Sequence, residues 1–89
     1  MDNDLKDLAK LVSSYMIGDE INVFDIFTLA SQIYECYGDE LPNDLKRLCC
    51  DSLLYLERDF EENPTFKEYI EIGEELIEDL SGALGEYFA

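Results

Sequence analysis

Apolar residues recur every three or four positions through nearly the whole chain, and no stretch alternates with the period of two that a half-buried strand requires. That spacing predicts four amphipathic helices at residues 4–17, 22–37, 43–62 and 65–81. The first carries Leu5, Leu8, Leu11, Val12, Tyr15 and Met16 on one stripe. Asp2 or Asn3 stands ready to cap its start, and Gly18 to end it. The second begins after Asn22, a capping residue, and presents Phe24, Phe27, Ala30, Ile33, Tyr34 and Tyr37 before Gly38 closes it. An aromatic stripe at this spacing reads as core packing rather than as a ligand pocket.

Pro42 and Asn43 suit the entry to the third helix, whose inner face is expected to hold Leu45, Leu48, Cys49, Ser52, Leu53, Leu56 and Phe60. Asn63-Pro64 interrupts the pattern, and Thr65 with Glu68 forms a capping box for the fourth helix. That helix is expected to bury Phe66, Tyr69, Ile70, Gly73, Leu76, Ile77, Leu80 and Leu84. Gly73 on a buried stripe costs about 1 kcal/mol of helix propensity, which points to close approach by a neighbouring element. Ser81-Gly82 loosens the helix, and residues 85–89 read as a frayed end with Tyr87 and Phe88 docking back. With short connections and no strand, the fold class is all-α, a compact antiparallel four-helix bundle forming one domain over residues 1–89.

Charge narrows the function. The chain has 22 acids, 6 bases and a net charge of −16. Ten of the acids, against Arg58 and Lys67, fall between Leu56 and Asp79, so that stretch carries −8. Nucleic acid is excluded as a direct partner, because phosphates are bound by Lys and Arg. A cationic protein is the complementary partner. Scattered acids serve solubility alone, but Glu57, Asp59, Glu61 and Glu62 crowd the expected end of the third helix, where the dipole favours cations. Glu68, Glu71, Glu75, Glu78 and Asp79 continue as an outward stripe, at spacings where like charges weaken a helix. Together these acids form a candidate binding ridge.

The sequence offers little to catalysis. It has no histidine, no Gly-x-Ser-x-Gly turn and no phosphate-binding glycine loop. Its acids follow neither the Glu-x-x-His pattern of di-metal bundles nor the calcium-loop spacing. No cofactor or metal is therefore expected, and the protein is expected not to be an enzyme. Cys36, Cys49 and Cys50 lie in helical stretches without histidine to complete a zinc set, and are expected to be buried free thiols of a reducing cytoplasm. Met1-Asp2-Asn3-Asp4 lacks the basic and apolar regions of a signal peptide, and no apolar run approaches the length of a membrane span.

Two other readings follow from particular residues. Asp51-Ser52-Leu53 is the tripeptide on which acyl carrier proteins bear a phosphopantetheine arm, but here Ser52 follows a breaker-free helical run instead of opening a helix. An acidic DNA mimic, directed at a DNA-binding enzyme, would use the same surface.

Asp7-Leu8-Ala9-Lys10-Leu11, Tyr37-Gly38, and Leu56-Glu57-Arg58-Asp59-Phe60-Glu61 ahead of an acidic turn give the chain a resemblance to a known family. It resembles the colicin D immunity proteins and the related immunity proteins of contact-dependent growth inhibition systems. The resemblance implies a small cytoplasmic bundle that binds, one to one, the C-terminal ribonuclease domain of a cognate toxin. Such a domain cleaves tRNA through a basic active site, which the inhibitor fills with carboxylates in place of phosphates. Glu57 and the acids after Phe60 are the positions that carry this role over.

Overall fold

Helix α1 (Asp2–Met16) opens on Met1 without a side-chain cap, so Asp2 and Asp4 act instead as first-turn acids that complement the helix dipole. Leu5, Leu8 and Val12 are its buried residues, while Met16, expected inside, lies exposed beyond the core. Gly18, at φ +96°, reverses the chain after it. Asn22 caps α2 (Val23–Tyr37), its side-chain oxygen accepting from the Phe24 amide at 2.9 Å. Ile26, Phe27, Ala30, Ser31 and Ile33 face inward. After Tyr37 the backbone tightens into a 3-10 turn over Gly38–Glu40, which buries Leu41.

This computed structural model describes every residue from Met1 to Ala89. Its remaining helices are α3 (Asn43–Glu57) and α4 (Phe66–Tyr87). Each helix packs on the next in sequence, and α4 returns to α1, closing an all-α four-helix bundle. No helix is long and apolar enough to cross a membrane.

Two boundaries and several burials depart from the sequence reading. Helix α3 stops at Glu57, five residues before the expected end. Arg58 adopts a left-handed conformation (φ 54°, ψ 37°), and the Asp59 amide donates to the Leu54 carbonyl at 3.0 Å while Arg58 donates to Tyr55 at 3.2 Å. That pair of bonds is a Schellman closure, formed here without the usual glycine. Helix α4 runs on through Gly82 and Gly85 because Leu84 is buried and the Tyr87 hydroxyl donates to Asp2 at 2.6 Å. Tertiary contacts outweigh the helix cost of two glycines. Of the thiols, only Cys49 is buried; Cys50 is partly covered and Cys36 is exposed. Cys36 lies nine positions after Phe27, two and a half turns, and so faces away from the core.

Tyr55, near the end of α3, is absent from the expected inner face yet only 3% exposed, whereas Leu53 and Leu56 are half-buried. Its ring stacks on Tyr69 at 4.3 Å and meets Phe27 at 4.5 Å. The Tyr55 hydroxyl donates to the Tyr69 carbonyl at 3.1 Å, and the Tyr69 hydroxyl donates back to the Tyr55 carbonyl at 3.3 Å. Gly73 is the close approach expected of it: a Cβ there would stand 2.6 Å from the Tyr55 hydroxyl oxygen.

Candidate functional site

The Schellman turn decides where the acids lie. Glu57 is the last residue of α3, while Asp59, Glu61 and Glu62 belong to the connection that follows. The expectation of four carboxylates on a helix end is thereby corrected: one is on the helix and three are on a loop. The loop is nonetheless tied down. Phe60 folds back to meet the Tyr55 and Tyr69 rings edge-on at 6.2 and 5.9 Å. Arg58 lies over the Tyr69 ring, its guanidinium carbon 5.3 Å from the ring centre, an attractive contact for a cation. Thr65 then caps α4, accepting from the Glu68 amide at 3.2 Å, which is the threonine half of the capping box. Glu68 stands in the first turn, where its charge suits the dipole.

All seven candidate residues, Glu57, Asp59, Glu61, Glu62, Glu68, Glu71 and Glu75, are exposed. None takes part in either of the chain's two ion pairs, which join Lys46 to Asp39 at 3.3 Å and Arg47 to Asp51 at 3.8 Å. The nearest cation in sequence, Arg58, is engaged by an aromatic face. These carboxylates thus have no internal counter-ion.

Two of them, Asp59 and Glu75, meet across a groove of about 280 Å³ between α3 and α4. Asp51 and Asp79 complete its rim, and Leu54, Phe60, Ile72 and Leu76 supply an apolar floor. The combination suits a lysine or arginine, whose methylenes lie along apolar surface while the head group reaches carboxylates. Glu57, Glu61, Glu62, Glu68 and Glu71 lie outside this groove. Asp51 was overlooked in the sequence because it sits on α3, one turn before Tyr55; only the folding of Phe60 against Tyr55 brings the connection beside it.

Ser52 has no access to solvent. It is fully buried ten residues into α3, and its hydroxyl donates to the Leu48 carbonyl at 2.9 Å. No group of three or more acids and thiols is arranged to hold a metal ion. Sequence reasoning also placed Phe24, Phe66 and Ile70 in the core, but all three are exposed, Phe66 by 79%. Phe66 and Ile70 are in helical phase with Gly73, Ile77, Leu80 and Leu84. The stripe outruns the helices available to cover it. Compared with protein-family models, curated proteins and solved structures, the chain matches none of them.

Proposed function

We propose that this protein is an inhibitor of a basic bacterial nuclease, an immunity protein that neutralises a tRNA-cleaving toxin domain. The observation that carries the reading is the set of exposed carboxylates without internal counter-ions, gathered on the 58–65 connection and along α4. A ribonuclease cleft presents cations where phosphates bind. Carboxylates from Glu57, Asp59, Glu61 and Glu62 would form charge-assisted hydrogen bonds with those cations, and Glu68, Glu71 and Glu75 would flank them. The α3–α4 groove adds a place for one long basic side chain between Asp51, Asp59, Glu75 and Asp79. Anchoring of the connection by Phe60 lowers the ordering cost of binding. Net charge of −16 favours fast electrostatic capture of a cationic toxin.

In this reading the protein acts in the cytoplasm as a one-to-one binder, without cofactor and without catalysis. The buried Ser52 hydroxyl weighs against a carrier protein, whose serine must be open to the modifying enzyme. A DNA mimic would use the same carboxylates, and the partner decides between them. Purification of the complex from the native host, with mass spectrometry of the bound protein, supplies that test. A nuclease domain whose tRNA cleavage stops on adding the purified protein supports the proposal. A partner without ribonuclease activity refutes it.

A further inference from the structure

Of the six large apolar side chains the structure exposes, five are Met16, Ile17, Phe24, Phe66 and Ile70. Met16 and Ile17 lie where α1 ends, Phe24 where α2 begins, and Phe66 and Ile70 where α4 begins. In an up-and-down bundle these are one and the same end, and the end of α3 with its acidic connection joins them there. Phe88, the sixth, is at the other end. Phe24, Phe60, Pro64, Phe66 and Tyr69 line a single groove of about 390 Å³ there, with Arg58 as one wall. Residues 57–68 around it carry five acids against Arg58 and Lys67.

A contiguous apolar surface rimmed by charge is the anatomy of a protein interface, and aromatic residues dominate the energetics of such surfaces. We infer that this aromatic groove is a docking site for a cationic protein segment that carries an aliphatic or aromatic side chain between flanking lysines or arginines. The inference rests on the proposed function for its choice of a basic partner, and adds the apolar anchor that charge alone does not supply.

Charge complementarity selects this occupant over the others. A second copy of the chain would set the same acidic rim against itself, and like-charge juxtaposition opposes such pairing. An anionic membrane surface is repelled for the same reason. The phase of α4 strengthens the case. Phe66 and Ile70 extend the buried stripe past the point where α1, α2 and α3 can cover it. A partner side chain seated between Phe24 and Phe66 would complete that stripe.

Two short peptides of equal positive charge test this, one with leucines between its lysines and one with serines. Titration into the isotopically labelled protein at near-physiological salt, followed by amide chemical shifts, reads both affinity and place. The leucine peptide is expected to bind about tenfold tighter, the scale of losing one interface anchor, with shifts centred on Phe24 and residues 58–70. Phe66→Ser, at an exposed position, should abolish the preference without changing the helical circular dichroism, and Phe66→Leu should retain it. Equal affinities for the two peptides, or a preference that survives Phe66→Ser, overturns the docking groove while leaving the acidic-surface function standing. If neither peptide binds even at low salt, both readings are overturned. Sedimentation showing a dimer that Phe66→Ser dissolves, or binding to vesicles of zwitterionic lipid in place of the leucine peptide, assigns the surface to another occupant and refutes the inference.

Discussion

Gly73→Ala should destabilise the fold, although alanine is the better helix former. On propensity alone the change would add about 1 kcal/mol of stability. The new methyl, however, would stand 2.6 Å from the Tyr55 hydroxyl oxygen and 3.0 Å from the ring carbon bearing it. Tyr55 has little room to yield, since Tyr69 and Phe27 hold its ring and it is 3% exposed. Overpacking of this kind costs about 1–3 kcal/mol, and displacing the hydroxyl forfeits its hydrogen bond to the Tyr69 carbonyl, worth about 1 kcal/mol. The net loss is about 2 kcal/mol. For a domain of this size that lowers Tm by roughly 8–16 °C. Thermal and urea unfolding followed by circular dichroism measure it. In a Tyr55→Phe background the nearest clash is gone, so the alanine should cost less by about 1 kcal/mol, a coupling that a double-mutant cycle isolates. The consequence reaches the acids, because Tyr55 is the surface on which Phe60 anchors the connection. If Gly73→Ala raises Tm, the account of this crossing is wrong.

Glu57→Lys with Glu61→Lys should weaken partner binding strongly and reduce its salt dependence. The same pair should leave stability unchanged or slightly higher, because Glu57 sits at a helix C-terminus and Glu61 makes no ion pair. A mutant that still inhibits at parental strength shows these acids to be solvated surface only. Alkaline pH should progressively weaken the fold, beginning at about pH 9. Burial, with the adjacent Cys50 adding, pushes the Cys49 thiol from 9 up to about 11. Burial, then Tyr69, likewise raises the Tyr55 phenol. Both groups release protons more readily when unfolded, so their stabilisation is full below pH 9. It falls by about 1.4 kcal/mol per pH unit for each group as its unfolded form ionises. A Tm that is flat to pH 11 contradicts this. Ser52→Ala should change stability by no more than ~0.5 kcal/mol, since the hydroxyl only back-bonds to a helical carbonyl. Intact mass should show no phosphopantetheine on the folded parent after incubation with a phosphopantetheinyl transferase.

The helices were legible in the sequence because burial follows one period throughout, and Leu5, Leu8, Phe27, Leu45, Leu48, Ile77 and Leu80 fall where that period puts them. Where α3 ends was not legible. Arg58 in a left-handed conformation has no compositional signal, and the ring that meets its guanidinium, Tyr69, lies eleven residues on. The end of α4 was hidden for a similar reason: Gly82 and Gly85 argue locally against a helix that Tyr87 and Asp2 stabilise from 85 residues apart. The acidic ridge could be counted in advance, but its division between helix and loop depended on Arg58. The apolar end could not be seen at all, since periodicity reports the face a residue occupies and not whether anything covers it.

The hydrogen bond from Tyr87 to Asp2 fastens the last turn of α4 to the first turn of α1, so both chain termini emerge together. They do so at the end of the bundle opposite Phe66, separated from it by the length of α4. Twenty-two residues at 1.5 Å each put that distance at about 33 Å. A fluorophore, an affinity handle or a whole fused domain attached at either terminus would therefore project away from the acidic connection and its aromatic groove. The same proximity means that a short linker could join the old termini and new ones be opened at Gly18-Asp19, yielding a circular permutant of unchanged core. Moving the termini in this way would carry any attached label to the docking end, and so turn its geometry into a ruler for the approach of a partner.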